Sequence, residues 1–295
     1  MTSPAELTAI LLEACTAAGL TADGAEPIRL GENTIFRVCE GVVVRIARPG
    51  QQAAARREVA VSHWLNASGV VAVAAVADIQ QPIEVGGRSV TFWEELRPHH
   101  HGSLIQVAAV LKRLHALPVP NDVLLGQLDP FVRLAERIKE AVTVPAEDGA
   151  WLQTRLSELK GRWEALVPDL PTCVVHGDAW SGNVVATDDG RIVLLDLERC
   201  AVGPPEWDLV SSAVKYVTYG RVDRAEYQAF CDAYGSDVTT WSDFPVLRDI
   251  RELRMTCYVA QQAATDKHFE HEARLRIDCL RGRRGTRPWT WTAAE

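Results

Sequence analysis

Residues 174–196 read Val174-Val175-His176-Gly177-Asp178-Ala179-Trp180-Ser181-Gly182-Asn183, then Val184-Val185-Ala186, Asp188-Asp189-Gly190 and Ile192-Val193-Leu194-Leu195-Asp196. Asp-Asp-Gly between two apolar, β-type runs predicts a hairpin. Asn183 stands just before the first strand and Asp196 just after the second. Both lie about equally far from the turn, so the hairpin brings them together at its open end. Asp178 precedes Asn183 on a loop containing Gly177 and Gly182.

Two carboxylates and an amide thus meet at one hairpin end. They are hard oxygen ligands, suited to Mg²⁺ that also holds a nucleotide phosphate. An alcohol attacking a γ-phosphoryl group needs orientation, a proton acceptor and charge neutralisation more than covalent help. The spacing assigns proton acceptance to Asp178 and metal ligation to Asn183 and Asp196. Alone, Asp196 fits a turn cap as readily as a ligand; its pairing with Asn183 favours the ligand. Glu198 stands close enough to support the metal ligands.

The bulk numbers bound the remainder. A chain of 295 residues predicts one large domain or two lobes, and 47 % hydrophobic content supplies a sizeable core. The net charge of −8 and pI of 5.6 argue against a nucleic-acid or anionic-membrane surface and favour neutral or cationic ligands. The seven cysteines are scattered without a Cys-x-x-Cys pair, which leaves zinc and redox motifs unsupported and predicts reduced thiols. No signal peptide or membrane-length apolar run is evident. These features predict a cytoplasmic protein.

Outward from the hairpin, the N-terminal part alternates between helix and strand. Residues 5–19 read as a helix, 28–47 as strands around Gly31-Glu32-Asn33-Thr34 and Glu40-Gly41, and 52–66 as a helix. Short strands follow near 70–84 and 88–96. After Pro98 helices dominate: 104–117, 131–142, 151–166, 206–219, 223–234 and a long one over 245–281. The pattern predicts an α+β fold with a strand-rich lobe over 1–97 and a larger, mainly helical lobe over 98–295. His99-His100-His101 reads as a polar inter-lobe loop rather than a metal site. His115 reads as packed or capping, and Trp289 and Trp291 as anchors of the C-terminal tail.

The run His176–Asn183, the later Asp196, and Gly203-Pro204-Pro205-Glu206-Trp207-Asp208-Leu209 resemble the aminoglycoside phosphotransferase family and its choline-kinase-like kin. The resemblance implies a bilobal, protein-kinase-like fold, ATP or GTP as phosphoryl donor, and Mg²⁺. It makes Asp178 the catalytic base and Asn183 and Asp196 the metal ligands, with His176 and Asp208 supporting the catalytic loop. The turn Gly31-Glu32-Asn33-Thr34 corresponds to the phosphate-covering hairpin, although an ordinary turn also fits. Arg45 falls where this fold places a phosphate-contacting lysine, with Glu58 its helix partner; an edge arginine facing water is the plain alternative. Arginine is planar and wider than lysine but still pairs with carboxylate and phosphate. Phe92–Leu96 marks the join of the lobes, where backbone near Glu94 and Leu96 is expected to meet the purine.

The acceptor is expected to be a small hydroxylated molecule, either an aminoglycoside or other antibiotic, or a metabolite such as an amino alcohol, sugar or amino acid. A nucleotide-binding regulatory protein without transfer is the reading from a different class. Acidic residues on the C-terminal helices, among them Glu252, Asp266 and Glu270 together with Glu198, could line a cleft for a polycation; ion pairs on a solvated helix face explain each singly. Neither nucleic acid nor a membrane is expected as partner, and the state expected is a monomer or weak homodimer.

Overall fold

The computed structural model describes residues 3–30, 33–39, 41–96 and 98–292. The expected α+β, two-lobed architecture is what it contains. Helix α1 (Pro4–Ala17) opens on Ser3, whose hydroxyl accepts the Glu6 amide at 3.2 Å, with proline in the first turn where its missing N–H costs nothing. Strands β1 (Glu26–Arg29), β2 (Thr34–Cys39) and β3 (Val42–Ile46) precede helix α2 (Gln52–Ala67), and β4 (Ile83–Val85) and β5 (Arg88–Glu94) follow it. They form an antiparallel sheet in the order β1-β2-β3-β5-β4. Alternation along β2 buries Thr34, Phe36 and Val38. Ile10, Leu11, Ala14 and Cys15 of α1 pack on Phe36, Val44, Ile46, Val90 and Phe92.

The second lobe runs β6 (His99–His101), α3 (Leu104–His115), α4 (Leu134–Glu140), α5 (Ala146–Glu164), β7 (Cys173–Val175), β8 (Val184–Thr187), β9 (Ile192–Leu194), β10 (Ala201–Gly203), α6 (Glu206–Val217), α7 (Arg224–Tyr234), α8 (Phe244–Gln262) and α9 (His268–Leu280). Its core gathers Leu111, Leu114, Leu152, Leu159, Trp207 and Leu253. Val61 and Leu65 of α2 belong to this core as well, so α2 packs across the division between lobes. Trp289 and Trp291 are buried and stacked at 5.2 Å. They anchor the tail as expected.

Several boundaries differ from the sequence reading, each for a local reason. His99–His101 is a strand, paired antiparallel with β8; its side chains are exposed while its backbone satisfies the edge of the hairpin. The helix expected over 131–142 is confined to α4, and α5 begins earlier than 151. The long helix over 245–281 is two helices, broken where Asp266 accepts the His268 amide at 2.9 Å. Such a side chain offers the backbone an alternative to the helix. Residues 70–84 form no continuous strand before Ile83. Instead Val73 donates to Leu194 at 2.9 Å and Leu194 to Val71 at 3.0 Å, while Glu94 donates to Ala74 at 2.8 Å and Val76 to Phe92 at 3.0 Å. The segment is a strap, hydrogen-bonded on one side to the large-lobe hairpin and on the other to the small-lobe sheet.

Ser62 pins this strap to α2. Its buried hydroxyl donates to the Val73 carbonyl at 2.6 Å and accepts the Ala75 amide at 3.2 Å. Ser62→Ala is expected to lower unfolding free energy by ~1–3 kcal/mol, because two backbone groups lose their buried partner. Denaturant titration measures this; an unchanged midpoint would show that the strap is held by other contacts.

Candidate active site

The Asp-Asp-Gly hairpin forms as its residues dictate. Val184 faces Leu194, Val185 faces Val193 and Ala186 faces Ile192, and Gly190 takes the positive φ of +83° that the turn requires. The Leu195 amide donates to the Asn183 carbonyl at 2.9 Å, which brings Asn183 beside the Leu195-Asp196 end of the second strand. Asp196 has a left-handed backbone, φ +55°, a conformation uncommon outside glycine but tolerated by aspartate.

The loop before Asn183 hangs on Asp208 at the start of α6. This carboxylate is fully buried. It accepts the His176 amide at 2.6 Å, the Gly177 amide at 2.8 Å and His115 Nε2 at 3.0 Å. His115 Nδ1 meets the Tyr234 hydroxyl at 2.9 Å. The neighbouring Trp207 donates its indole N–H to the Gly177 carbonyl at 2.9 Å. His176 Nε2 donates to the Leu195 carbonyl at 2.8 Å, which leaves Nδ1 to accept the Asp178 amide at 3.3 Å. Gly177 has φ +81°, and a Cβ there would lie 2.4 Å from the Arg199 carbonyl oxygen. Loop, hairpin and α6 are thereby tied together around Asp178.

Asp178 meets Arg251 of α8, whose Nη1 donates to Oδ1 at 2.7 Å. Burial alone would raise this carboxyl, but Arg251, Arg254 and the Arg251 hydrogen bond outweigh it and hold it down, at about 2. Asp178 is therefore an anion at neutral pH. Asn183 donates Nδ2 to the Asp178 carbonyl at 3.0 Å, leaving its Oδ1 available as a ligand. Although Asp196 is open to solvent, desolvation by the surrounding protein and the Glu198 carboxylate push it up, to about 6, against the pull of Arg45, and Asp178 adds to the rise. A cation between these groups would relieve that repulsion, so Asn183 Oδ1 and Asp196 fit a divalent ion. Among the described residues no set of three or more His, Cys, Asp or Glu is gathered for a metal. One carboxylate and one amide, completed by phosphate and water, nevertheless suit Mg²⁺.

On the small-lobe side, Arg45 of β3 and Glu58 of α2 pair at 2.6 Å, as the sequence anticipated. Arg45 Nη2 also donates to Glu198 at 2.8 Å. Burial pushes the Glu58 carboxyl up, to about 7, against the pull of Arg45. Asn33 lies against the same guanidinium, with its amide oxygen 2.6 Å from Nη2 when oriented to accept. These residues with Arg48, Gln51 and Thr91 line a shallow recess open to solvent. Thr34 is buried at the start of β2. Gly31 lies outside the described residues. The Glu94 and Glu95 amides are committed to Ala74 and Gly41 at 2.8 Å each, and Leu96 follows them at the end of the sheet.

Against this geometry, the sequence matches the family described as phosphotransferase enzyme family (APH) over residues 25–250. The chain belongs to this family. No curated protein matches it significantly. Among solved structures, amicoumacin kinase hAmiN in complex with AMP-PNP, Ca²⁺ and Ami superposes with a TM-score of 0.72 at 14 % identity, covering 97 % of this chain and 98 % of that one. Choline kinase LicA from Streptococcus pneumoniae gives 0.63 at 16 % identity, covering 94 % and 99 %. Aminoglycoside phosphotransferase APH(3'')-Id from Streptomyces rimosus gives 0.59 at 19 % identity, covering 83 % and 98 %. At these identities the likeness establishes the fold.

The acidic residues read as a polycation cleft are not gathered around Asp178 of this phosphotransferase. Glu198 is taken by Arg45. Glu252 is fully buried and accepts Thr218 and Arg287, so it presents nothing to a ligand. Asp266 caps the break between α8 and α9, and Glu270 lines a different recess with Thr143, Pro145 and Arg274. Sequence reasoning missed Arg251; it read His115 as packed or capping, and the side chain is packed, but its bond to Asp208 was not anticipated. Each acts across a long sequence separation, and neither sits in a local motif.

Asp208→Ala leaves three buried donors unpartnered, and a cost of ~3–5 kcal/mol is expected from the broken network. Gly177→Ala should also destabilise, through its positive φ and the clash with Arg199. Thermal unfolding of both variants checks this, and wild-type stability in either would show that the loop is not under the constraint its geometry implies.

Proposed function

We propose that this phosphotransferase moves the γ-phosphoryl group of ATP or GTP to a hydroxyl of a small molecule. The reading rests on one observation: Asp178, held ionised by Arg251, adjoins the hairpin end that carries Asn183 and Asp196. The acceptor hydroxyl donates a hydrogen bond to the Asp178 carboxylate, which aims its oxygen at the γ-phosphorus. As the new O–P bond forms, the bond to the nucleoside diphosphate breaks and its electron pair leaves with the diphosphate. The hydroxyl proton passes to Asp178. A carboxylate with so low a pKa is a weak base, which suits a loose transition state in which the proton moves late and orientation matters most.

Mg²⁺ bound by Asn183 Oδ1 and Asp196 would supply charge neutralisation at the phosphate oxygens. Arg45, steadied by Glu58, offers its guanidinium to the phosphates, with Asn33 and Thr34 at the covering turn. Backbone near Glu94 and Leu96 is offered to the purine, with Leu96 as the amide donor, since the amides of Glu94 and Glu95 already have partners. On this reading the protein works in the cytoplasm as a monomer or weak homodimer. No helix among the described residues is long and apolar enough to cross a membrane. The solved structures of similar fold include kinases named for amicoumacin and for choline, so both the antibiotic and the metabolite reading have counterparts among them. Arg45 keeps a carboxylate partner on α2, which supports a phosphate-holding role over the reading as a nucleotide binder without transfer.

A mass-spectrometric transfer screen with Mg²⁺, ATP or GTP and a panel of hydroxylated acceptors tests the proposal. Asp178→Asn is expected to lower kcat by about 10²–10⁴ with nucleotide affinity nearly unchanged; full turnover would remove Asp178 from the proposed role. Asp196→Ala should instead weaken Mg²⁺-dependent nucleotide binding, read by calorimetry. Arg45→Ala should raise the nucleotide KM, and an unchanged KM would assign Arg45 to inter-lobe structure alone.

A further inference from the structure

On the side of α8, Asp178 faces positive charge. Arg251 is mostly buried, its side chain 12 % exposed, and its Nη1 is spent on Asp178. Its Nε is buried without a hydrogen-bond partner, and among the described residues Nη2 has none either. A guanidinium that gives one corner to a carboxylate retains the Nε–Nη2 edge, the fork that takes an oxyanion through two parallel hydrogen bonds. Arg254, one turn along α8, is also buried, and its Nη1 donates to the Pro130 carbonyl rather than to a carboxylate. Burial, with Arg251 beside it, pulls the Arg254 guanidinium down to about 9. One carboxylate therefore faces two guanidiniums.

The two acids that flank Arg251 on α8 are engaged elsewhere, and Asp196, which Asp178 helps to raise, lies on the side read as the metal site. Asp249 takes Arg155 at 2.7 Å and Arg248 at 2.9 Å, and Glu252 takes Arg287. A polycationic acceptor seated at Asp178 would meet the Arg251 charge at contact distance, and would compete with Arg251 for the one carboxylate they share. An acceptor bearing an anion would gain a buried partner that is otherwise missing.

We propose that Arg251 binds an anionic group of the acceptor, so that the substrate carries both a hydroxyl and an oxyanion, either carboxylate or phosphate. Nη1 stays on Asp178 and fixes the carboxylate that receives the hydroxyl, while the Nε–Nη2 edge holds the oxyanion. One side chain then sets both the orientation of the base and the distance between the acceptor's anion and its reacting oxygen. This deepens the phosphotransferase reading and rests on it.

The test is a transfer panel of hydroxylated compounds in matched pairs, each carboxylate beside its neutral amide and each phosphate ester beside its unphosphorylated parent, with streptomycin and choline as cations. Wild-type protein is expected to phosphorylate oxyanion-bearing members with kcat/KM at least 100-fold above their neutral partners, and the two kinds of pair separate carboxylate from phosphate. Arg251→Gln should raise the acceptor KM for those members at least tenfold and erase most of the preference, and Arg251→Lys should restore part of it. A merely structural Arg251 would depress kcat for charged and neutral acceptors alike, which overturns the proposal. Equal or better transfer to neutral or cationic members overturns it too, and leaves the phosphotransferase reading standing. Absence of transfer to every oxyanion-bearing member also overturns it; Mg²⁺-nucleotide binding, measured in the same samples, then tells whether the broader reading falls with it. Nucleotide binding by the Arg251 variants serves as their folding control.

Discussion

The buried carboxylate of Asp208 is the constraint on which the active-site geometry depends. An ionised group removed from water is costly unless donors surround it. Here the donors are two consecutive backbone amides and an imidazole, drawn from the loop that carries Asp178 and from the last turn of α3. The carboxylate therefore fixes the loop's position relative to the helical core. Trp207 adds a second tether through Gly177, and His176 a third through Leu195. Asp178 inherits its position from all of them.

The two lobes are joined by polar contacts as well as by chain. The strap over residues 71–76 shares hydrogen bonds with both β9 and β5. Glu198, just beyond Asp196, receives Arg45 from β3 through its carboxylate and Arg57 from α2 through its carbonyl at 3.2 Å. The Arg45 guanidinium is thus linked to the residues that follow Asp196. The distance between β3 and the open end of the hairpin depends on this ion pair, whose side chains are partly shielded from solvent and so less screened by salt than an exposed pair.

What was legible in the sequence was what lies close together along it. The hairpin could be read because strand alternation and Asp-Asp-Gly turn chemistry agree, and Asn183 and Asp196 follow from its symmetry about the turn. The Arg45–Glu58 pair needed the family resemblance to pick one glutamate from α2. Arg251 and Ser62, and the Asp208 partner of the packed His115, were beyond reach: each makes its decisive contact through tertiary packing, and no local pattern distinguishes it from an ordinary helical residue. The acids of the C-terminal helices misled for the same reason. Their number was visible, but the arginines that neutralise them were assigned only by folding. The helix break at Asp266 was missed because apolar periodicity continues on both sides of it, while the competing hydrogen bond is made by one side chain.

Net charge shows why composition is a poor guide to a site. The chain carries −8 overall, a balance that suggested neutral or cationic ligands. Yet the carboxylate at the centre of the site is bordered by Arg251 and Arg254, and most of the protein's acidity lies on surfaces and in ion pairs away from it. Long-range steering follows the whole charge distribution, but recognition at contact distance follows the few groups that are desolvated. The same two arginines hold Asp178 ionised by lowering the energy of its anion, which also makes it a weaker base. Basicity and positioning are therefore exchanged against each other at one residue. A reaction whose nucleophile loses its proton late tolerates the weaker base, and it gains from a carboxylate that cannot be protonated near neutral pH and whose direction is fixed by a side chain bound to it.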